Sequence, residues 1–289
     1  QQVKMQSEFN DKRLRFLIGD VRDLSRLTRA MEGIDVVFHA AALKHVPVVE
    51  YNPFEAVQTN ILGSQNVINA SLEEDIETCV CIGTDKAVAP LNTYGATKLL
   101  MEKLFVTAGN YLNPIRHKTK FLAVRYGNVL ASNGSIVPKI IEQIKTKKKI
   151  TITDPNMTRF NITMNQALDL IERATTTGKG GEVFIPKLFS YRVGDLKDVL
   201  LDLFEGKNST EIISVRPGEK LHESLLTIDE LRDTYESKHD YILIEKNDFH
   251  TTPDHDYEKT SLNENYSSDK VKLLTKDELK DILLKEGIL

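Results

Sequence analysis

Short apolar runs alternate with amphipathic stretches through the first half of the chain. Arg15–Asp20 (RFLIGD) is an apolar run ending in a turn, and Leu24 to Met31 carries apolar residues at helical spacing. Asp35–Ala41 (DVVFHAA) reads as a second buried strand, Thr78–Thr84 (TCVCIGT) as a third and Phe121–Tyr126 (FLAVRY) as a fourth. Between them Pro53 opens a long helix to about Leu72, proline being suited to a first helical turn, and Asn92 to about Tyr111 forms another. Continuous apolar strands alternating with helices imply a parallel sheet covered on both faces. Right-handed crossovers make such a sheet doubly wound, with ligands at the carboxyl ends of its strands.

Past Pro138 the rhythm changes. A helix leads to a short strand at Ile150–Thr153, a second helix spans Asn165–Thr176, and Glu182–Pro186 is a strand placed to rejoin the main sheet. A helix from Tyr191 to Phe204 and strands at Ile212–Val215 and Tyr241–Glu245 follow. Lys246–Lys270 is polar with little periodicity. The last helix, Lys276–Lys285, is led by Thr275 with Glu278 three residues on, the signature of a capping box. The expectation is an α/β protein: a doubly wound parallel sheet over 1–137, rejoined by 161–187, with a smaller C-terminal α/β substrate region over 138–289.

Composition narrows the classes. The 289 residues carry 38 Lys+Arg against 42 Asp+Glu, a net charge of −4, and 40% are hydrophobic. That excludes collagen-like and wholly disordered chains and argues against a protein that lives on nucleic acid. Two cysteines, Cys79 and Cys81, cannot staple a chain of this size, so a reducing, cytoplasmic setting is expected. No apolar run approaches the roughly 18 residues of a membrane span, and the histidines lack metal-ligand spacing, so neither membrane nor metal is expected. The chain opens at Gln1 without Met or leader, inside what reads as a polar helix, as a fragment of a longer protein does.

The densest chemistry is Gly83-Thr84-Asp85-Lys86 at a strand's carboxyl end, followed by Tyr94-Gly95-Ala96-Thr97-Lys98 opening a helix. Tyr94 and Lys98, four apart, share a helix face. A phenol has a pKa near 10, too high for a base at neutral pH, and an adjacent ammonium such as that of Lys98 is expected to lower it. With the Thr84 hydroxyl, the trio suits removal of a proton from an alcohol while hydride leaves the carbon. Asp85 and Lys86 add a second acid and base at the same mouth. Gly19-Asp20-Val21-Arg22-Asp23 is placed to bond an adenine edge, and His39-Ala40-Ala41-Ala42 ends a strand in residues small enough for a dinucleotide to approach the backbone. A Gly-x-Gly-x-x-Gly phosphate turn is absent, so that turn is expected upstream of Gln1. Arg125-Tyr126-Gly127-Asn128, Met157-Thr158-Arg159-Phe160 and Arg216-Pro217-Gly218-Glu219-Lys220 are polar clusters after strands. Their arginines offer forks for phosphate oxygens and Glu219 an acceptor for sugar hydroxyls, which fits a nucleotide diphosphate. His45 and His222 stand beside these clusters as further candidates for ligand contact.

In that order the motifs resemble the extended short-chain dehydrogenase/reductases, in particular the inverting UDP-N-acetylglucosamine 4,6-dehydratases of surface-glycan and pseudaminic acid pathways. The resemblance covers nearly the whole chain. It departs at Gly83, where relatives usually carry Ser, and lacks the family's opening strand, Gly-rich turn, helix and strand. It implies a Rossmann fold truncated at its N-terminus, NADP as cofactor with NAD possible, and a homo-oligomer. It also implies that Tyr94, Lys98 and Thr84 carry the redox proton, while Lys86 removes the C5 proton and Asp85 protonates the departing C6 hydroxyl. For Lys86 to act so, its pKa must fall toward neutrality. Asp20, Val21, Ala40, Ala41, Ala42, Lys44, Tyr94 and Lys98 would hold the cofactor, and His45, Asn128, Arg159, Arg216 and Glu219 the UDP-sugar. A UDP-sugar 4-epimerase and a catalytically silent nucleotide-sugar-binding protein remain the alternatives.

Overall fold

The computed structural model describes residues 2–9, 11–113, 115–132, 134–216, 218–245 and 256–288. The chain begins with α1 (Gln2–Glu8), α2 (Leu24–Met31), β1 (Val36–His39), α3 (Val46–Tyr51) and α4 (Pro53–Ala56), which continues through a π-helical turn (Val57–Leu62) into α5 (Gly63–Glu73). Then come β2 (Thr78–Ile82), a 3-10 turn (Asp85–Ala87), α6 (Thr93–Thr107), β3 (Lys120–Val124), α7 (Ile136–Lys145), β4 (Ile150–Ile152), β5 (Thr158–Asn161), α8 (Met164–Thr177) and β6 (Val183–Pro186). The remainder holds β7 (Phe189–Arg192), α9 (Val193–Leu203), β8 (Thr210–Ile212), β9 (Ser224–Leu226), β10 (Thr234–Glu236), β11 (Asp240–Leu243), β12 (Glu258–Lys259), β13 (Tyr266–Ser267) and α10 (Lys276–Lys285).

Seven strands make one sheet in the order β1-β2-β3-β6-β11-β10-β12. β1, β2, β3 and β6 are parallel, and β11, β10 and β12 continue the sheet antiparallel. Alternation along β2 explains why the sheet is covered twice. Cys79 and Cys81 pack with Ile68 of α5 and Met101 and Phe105 of α6, while Val80 turns to the other face, toward Leu170 and Ala174 of α8. Both thiols are fully buried, and burial pushes each up to about 12, so they serve as small core side chains. A second apolar core joins α7, β4, α9 and α10 through Ile140, Ile150, Leu196, Leu200, Leu279 and Leu283. Thr275 and Glu278 close the capping box of α10 as its sequence requires.

Four expectations need correction. Arg15–Asp20 is extended but is no strand. A strand exists only through a ladder partner, and among the described residues β1 pairs with β2 alone. Ile18 is accordingly 84% exposed, its carbonyl held by Arg26 Nε at 2.6 Å. The strand expected at Ile212–Val215 lies earlier, at Thr210–Ile212, because its register follows β4. Tyr191 belongs to β7, paired with β5, and the helix begins only at Val193. The polar tail, of which 246–255 lie outside the described residues, contributes β12 and β13. Strands of two residues leave no periodicity to read.

Candidate active site

A cavity of about 370 Å³ opens at the carboxyl ends of β2 and β3. Its wall is assembled from six places. Val46, Pro47 and Glu50 come from α3, Lys86 from the 3-10 turn, Leu91 and Asn92 from the approach to α6, Asn128 from the loop after β3, Arg159 from β5, and Arg216, Gly218, Glu219, Lys220 and Glu223 from the loop between β8 and β9.

The turn carrying Asp85 and Lys86 is built locally. Thr84 is its N-cap, and the Gly83 amide donates to the Val124 carbonyl at 2.7 Å. A Cβ on Gly83 would sit 2.4 Å from that carbonyl oxygen, so a residue with a side chain requires the two strand ends to move apart. Asn92 caps α6 by accepting from the Gly95 amide, and a Cβ on Gly95 would meet the Lys86 carbonyl at 2.3 Å. Glycine there lets the start of α6, and with it Tyr94, press against the turn.

The result is a tight cluster. Asp85 is 1% exposed; its Oδ1 accepts from Thr84 Oγ1 and from Lys86 Nζ, both at 2.9 Å. Lys86 Nζ also donates to Asn128 Oδ1 at 3.1 Å and lies 3.7 Å from Glu223 Oε1. The second oxygens, Asp85 Oδ2 and Glu223 Oε2, are buried without a hydrogen-bond partner. Buried acceptors are ordinarily satisfied, so two orphans in one pocket mark a place built for something other than stability. Burial works against the Lys86 ammonium, but the charges of Asp85 and Glu223 outweigh it and hold the amine above its ordinary range. The fall toward neutrality expected from the sequence is therefore reversed. Two carboxylates surround an amine that the sequence paired with one.

Tyr94 is buried beside them and hydrogen-bonded to Thr84. Burial raises its phenol; Lys86, and not Lys98, is the cation that opposes this, and the net direction is upward. Lys98 Nζ turns away to donate to the Ile82 carbonyl at 2.7 Å, and burial lowers its pKa. The expected Lys98 effect on Tyr94 is corrected accordingly.

Arg159, Arg216, Asn128 and Glu219 all line the cavity. Arg159 donates to the carbonyls of Thr158 and Leu221 and faces Glu219 and Glu223 at 3.7 and 3.9 Å. Glu219 accepts from Thr153 Oγ1 and the Arg216 amide. Pro217 lies outside the described residues. Arg125 does not join them. Fully buried, it is clasped by Glu102 at 2.5 Å and Glu230 at 3.0 Å and donates to the Leu225 carbonyl at 2.8 Å. Its position on the sheet points it into the core. His222 bonds Thr158 Oγ1 at 2.8 Å and lines a separate surface depression with Ser224 and Asp269. His45 occupies the N-cap position of α3, exposed and outside the cavity wall.

On the other side of Tyr94, Ala40, Ala41 and Ala42 lead from β1 into an open loop, with Ala40 and Ala41 exposed, as is Lys44. Asn60, in the π-helical turn, pins this loop: it accepts from the Leu43 amide at 2.7 Å and donates to the Leu43 carbonyl and to Thr97 Oγ1, each at 3.0 Å. Neither Asn60 nor Glu223 stands out in the sequence. A polar residue inside an apolar helical stretch was the available signal for Asn60; for Glu223 there was only its closeness to the Arg216–Lys220 cluster. Asp20 is exposed and engaged by Arg22, whose guanidinium holds its carboxyl down to about 2, and Val21 packs beside Gly63. Small, open alanines at a strand's carboxyl end, backed by Tyr94 and Lys98, fit the nicotinamide portion of a dinucleotide.

Together the parallel sheet, the Thr84–Tyr94–Lys98 arrangement and the cavity at the strand ends define an extended short-chain dehydrogenase/reductase. More particularly, the chain belongs to the polysaccharide biosynthesis protein family, which matches residues 1–245. It is 45% identical over 245 residues to the inverting UDP-N-acetylglucosamine 4,6-dehydratase of Campylobacter jejuni strain 81-176, covering 84% of this chain and 71% of that one. It is 39% identical over 289 residues to a UDP-glucose 4-epimerase of Rickettsia massiliae, covering 98% of this chain and 83% of that one. The solved structure of Pen from Bacillus thuringiensis superposes with a TM-score of 0.91 at 39% identity, covering 100% of this chain and 87% of that one. No helix among the described residues is long and apolar enough to cross a membrane.

Proposed function

We propose that the protein dehydrates UDP-N-acetylglucosamine to a 4-keto-6-deoxy UDP-sugar with inversion at C5, for surface-glycan biosynthesis. The observation that carries this reading is the Asp85–Lys86 pair, with Asp85 Oδ2 unpartnered, beside Thr84 and Tyr94. A nicotinamide dinucleotide, NADP by resemblance, held by Asp20, Val21, Ala40, Ala41, Ala42, Lys44, Tyr94 and Lys98, supplies the hydride acceptor and donor.

The protein's own groups move the protons. Tyr94, bonded to Thr84, takes the proton of the sugar O4 as the C4–H bond breaks, having first released its own phenolic proton to solvent; Lys98 stands behind it. The ketone so formed acidifies C5. One transfer inside the pair, from Lys86 Nζ to Asp85, makes a free amine and a carboxylic acid together, so no lysine pKa near neutrality is needed. Lys86 then accepts the C5 proton, and Asp85 returns its proton to the departing C6 hydroxyl as water. Protonation of C5 from the face opposite Lys86 sets the inverted configuration, and the bound dinucleotide would supply the hydride that C6 requires. Asn128, Arg159, Arg216 and Glu219 hold the UDP moiety, the arginines by forked bonds to phosphate; His45, outside the wall but adjoining the lining residues Val46 and Pro47, is the remaining substrate contact. Exposed Val48, Tyr51 and Phe54 support a homo-oligomer, and a chain of this length with two cysteines supports a cytoplasmic setting.

A 4-epimerase reading keeps Tyr94 but leaves Asp85 and Lys86 without employment, since epimerisation needs no C5 base or C6 acid. Incubation of full-length protein with UDP-N-acetylglucosamine in heavy water, followed by NMR and mass spectrometry, decides. Loss of one water with deuterium at C5 is expected; an isomer of unchanged mass overturns the proposal. In Lys86→Ala, C5 exchange is expected to vanish, and its persistence removes Lys86 from the mechanism.

A further inference from the structure

Glu223 stands in the loop ahead of β9, 4% exposed, and two backbone bonds aim it: its amide donates to Ser268 Oγ at 2.9 Å, and its carbonyl accepts from the Ser268 amide at 2.8 Å. Oε1 lies 3.7 Å from Lys86 Nζ and 3.9 Å from Arg159 Nε, while Oε2 has no partner. A buried acid this placed costs stability, so its presence calls for a role. The distance to Lys86 exceeds a hydrogen bond, whereas Asp85 and Asn128 make the direct bonds. Glu223 therefore acts on Lys86 through its field, leaving the amine's lone-pair geometry to the other two.

We propose that Glu223 is a positioning residue for Lys86, holding the ammonium at the cavity wall and governing how readily that amine gives up its proton. The inference rests on the proposed dehydratase reading for its meaning but not for its test. The groups that face Lys86 are Asp85 from its own turn, Tyr94 from α6, Arg159 from β5, Tyr191 from β7, and Lys220 and Glu223 from the loop before β9. Of these, Asp85 and Glu223 are the carboxylates that favour the charged amine, and Glu223 is the one that makes no hydrogen bond to it. Burial and the neighbouring Asp85 charge raise Glu223 itself, so the two carboxylates compete to stay ionised around one cation.

The test reads Lys86 directly. Wild type, Glu223→Gln and Glu223→Asp are treated with trace acetic anhydride across a pH series, and acetylation of the Lys86 peptide is followed by mass spectrometry. Lys86 is 26% exposed along its side chain, so reagent reaches it. Loss of the Glu223 charge is expected to speed Lys86 labelling about tenfold at any one pH below its midpoint, with Glu223→Asp close to wild type. Identical Lys86 profiles in wild type and Glu223→Gln overturn the proposal. Should Glu223→Gln not fold, Ser268→Ala, which removes the hydroxyl that accepts from the Glu223 amide and leaves only the backbone bond to hold it, is expected to move the same profile in the same direction, and its failure to do so is equally decisive. In turnover, the pH dependence of C5 exchange should move down in Glu223→Gln with kcat changing more than KM. Absence of exchange in wild type refutes the dehydratase reading alone, because the labelling result does not depend on substrate.

Discussion

Two clusters in this protein each set one cation between two carboxylates, for opposite ends. Around Arg125, Glu102 and Glu230 close on the guanidinium, the Leu225 carbonyl takes a further N–H, and none of these groups is among the unpartnered buried atoms. Around Lys86, Asp85 and Glu223 also supply two carboxylates to one cation, yet each keeps an oxygen that nothing satisfies. The first cluster is closed and carries structure. The second is open on a cavity, and it is there that we place the chemistry. The charge arrangement does not separate them; completeness of hydrogen bonding does.

The contrast can be broken most sharply at Asp85. Asp85→Asn is nearly isosteric; it removes the proton-transfer capacity together with the negative charge bonded to Lys86, leaving Glu223 to face the amine. Turnover is expected to fall about 10²–10⁴-fold while the unfolding free energy, read by urea titration, changes by about 1 kcal/mol or less. A parallel loss of stability would show that the open cluster is structural after all. Arg125→Met should do the reverse: it strands Glu102 in the core and is expected to cost about 3–5 kcal/mol of unfolding free energy, read by denaturant titration. A neutral result there would mean that Glu102 relaxes into water.

A third, smaller effect sharpens the closed side. His39 is buried, 2.8 Å from Ser64 Oγ and stacked on Phe105, and burial, with the charge of Lys98, depresses it from 6.5 to about 4. The unfolded chain therefore binds this proton first as pH falls. The stability linked to His39 is fully present above pH about 6.5 and is lost progressively toward pH about 4, about 3 kcal/mol in all. Urea midpoints across that window should decline with a slope near one proton, and His39→Gln should flatten it. An equal slope in the variant would assign the acid sensitivity elsewhere.

Much of this was legible in one dimension. The alternation of apolar strands and helices announced the parallel sheet, and the Thr84–Asp85–Lys86 and Tyr94–Lys98 spacings pointed to residues that the fold gathers beside one cavity, because both depend on contacts within one or two elements. The Thr275–Glu278 cap was legible for the same reason. Arg125 was not. It follows an apolar strand as Arg159 lies within β5, and only the packing of α6 and the Glu230 turn against it decides that one is sealed and the other faces the cavity. Arg15–Asp20 has a strand's composition, but a strand also needs a neighbour.

By its own periodicity and local spacing, the sequence determined the fold class and placed Asp85 and Lys86 side by side at a strand's end. Which charges surround that pair was a tertiary decision. Glu223 reaches Lys86 across 137 positions of chain, and Asn60 reaches Thr97 and the Leu43 backbone from a π-helical turn that no propensity encodes. Electrostatic energy depends on distance and burial, and neither is a property of neighbours in sequence. That is why the direction of the Lys86 shift, anticipated downward from chemistry alone, turned upward once the second carboxylate was in place.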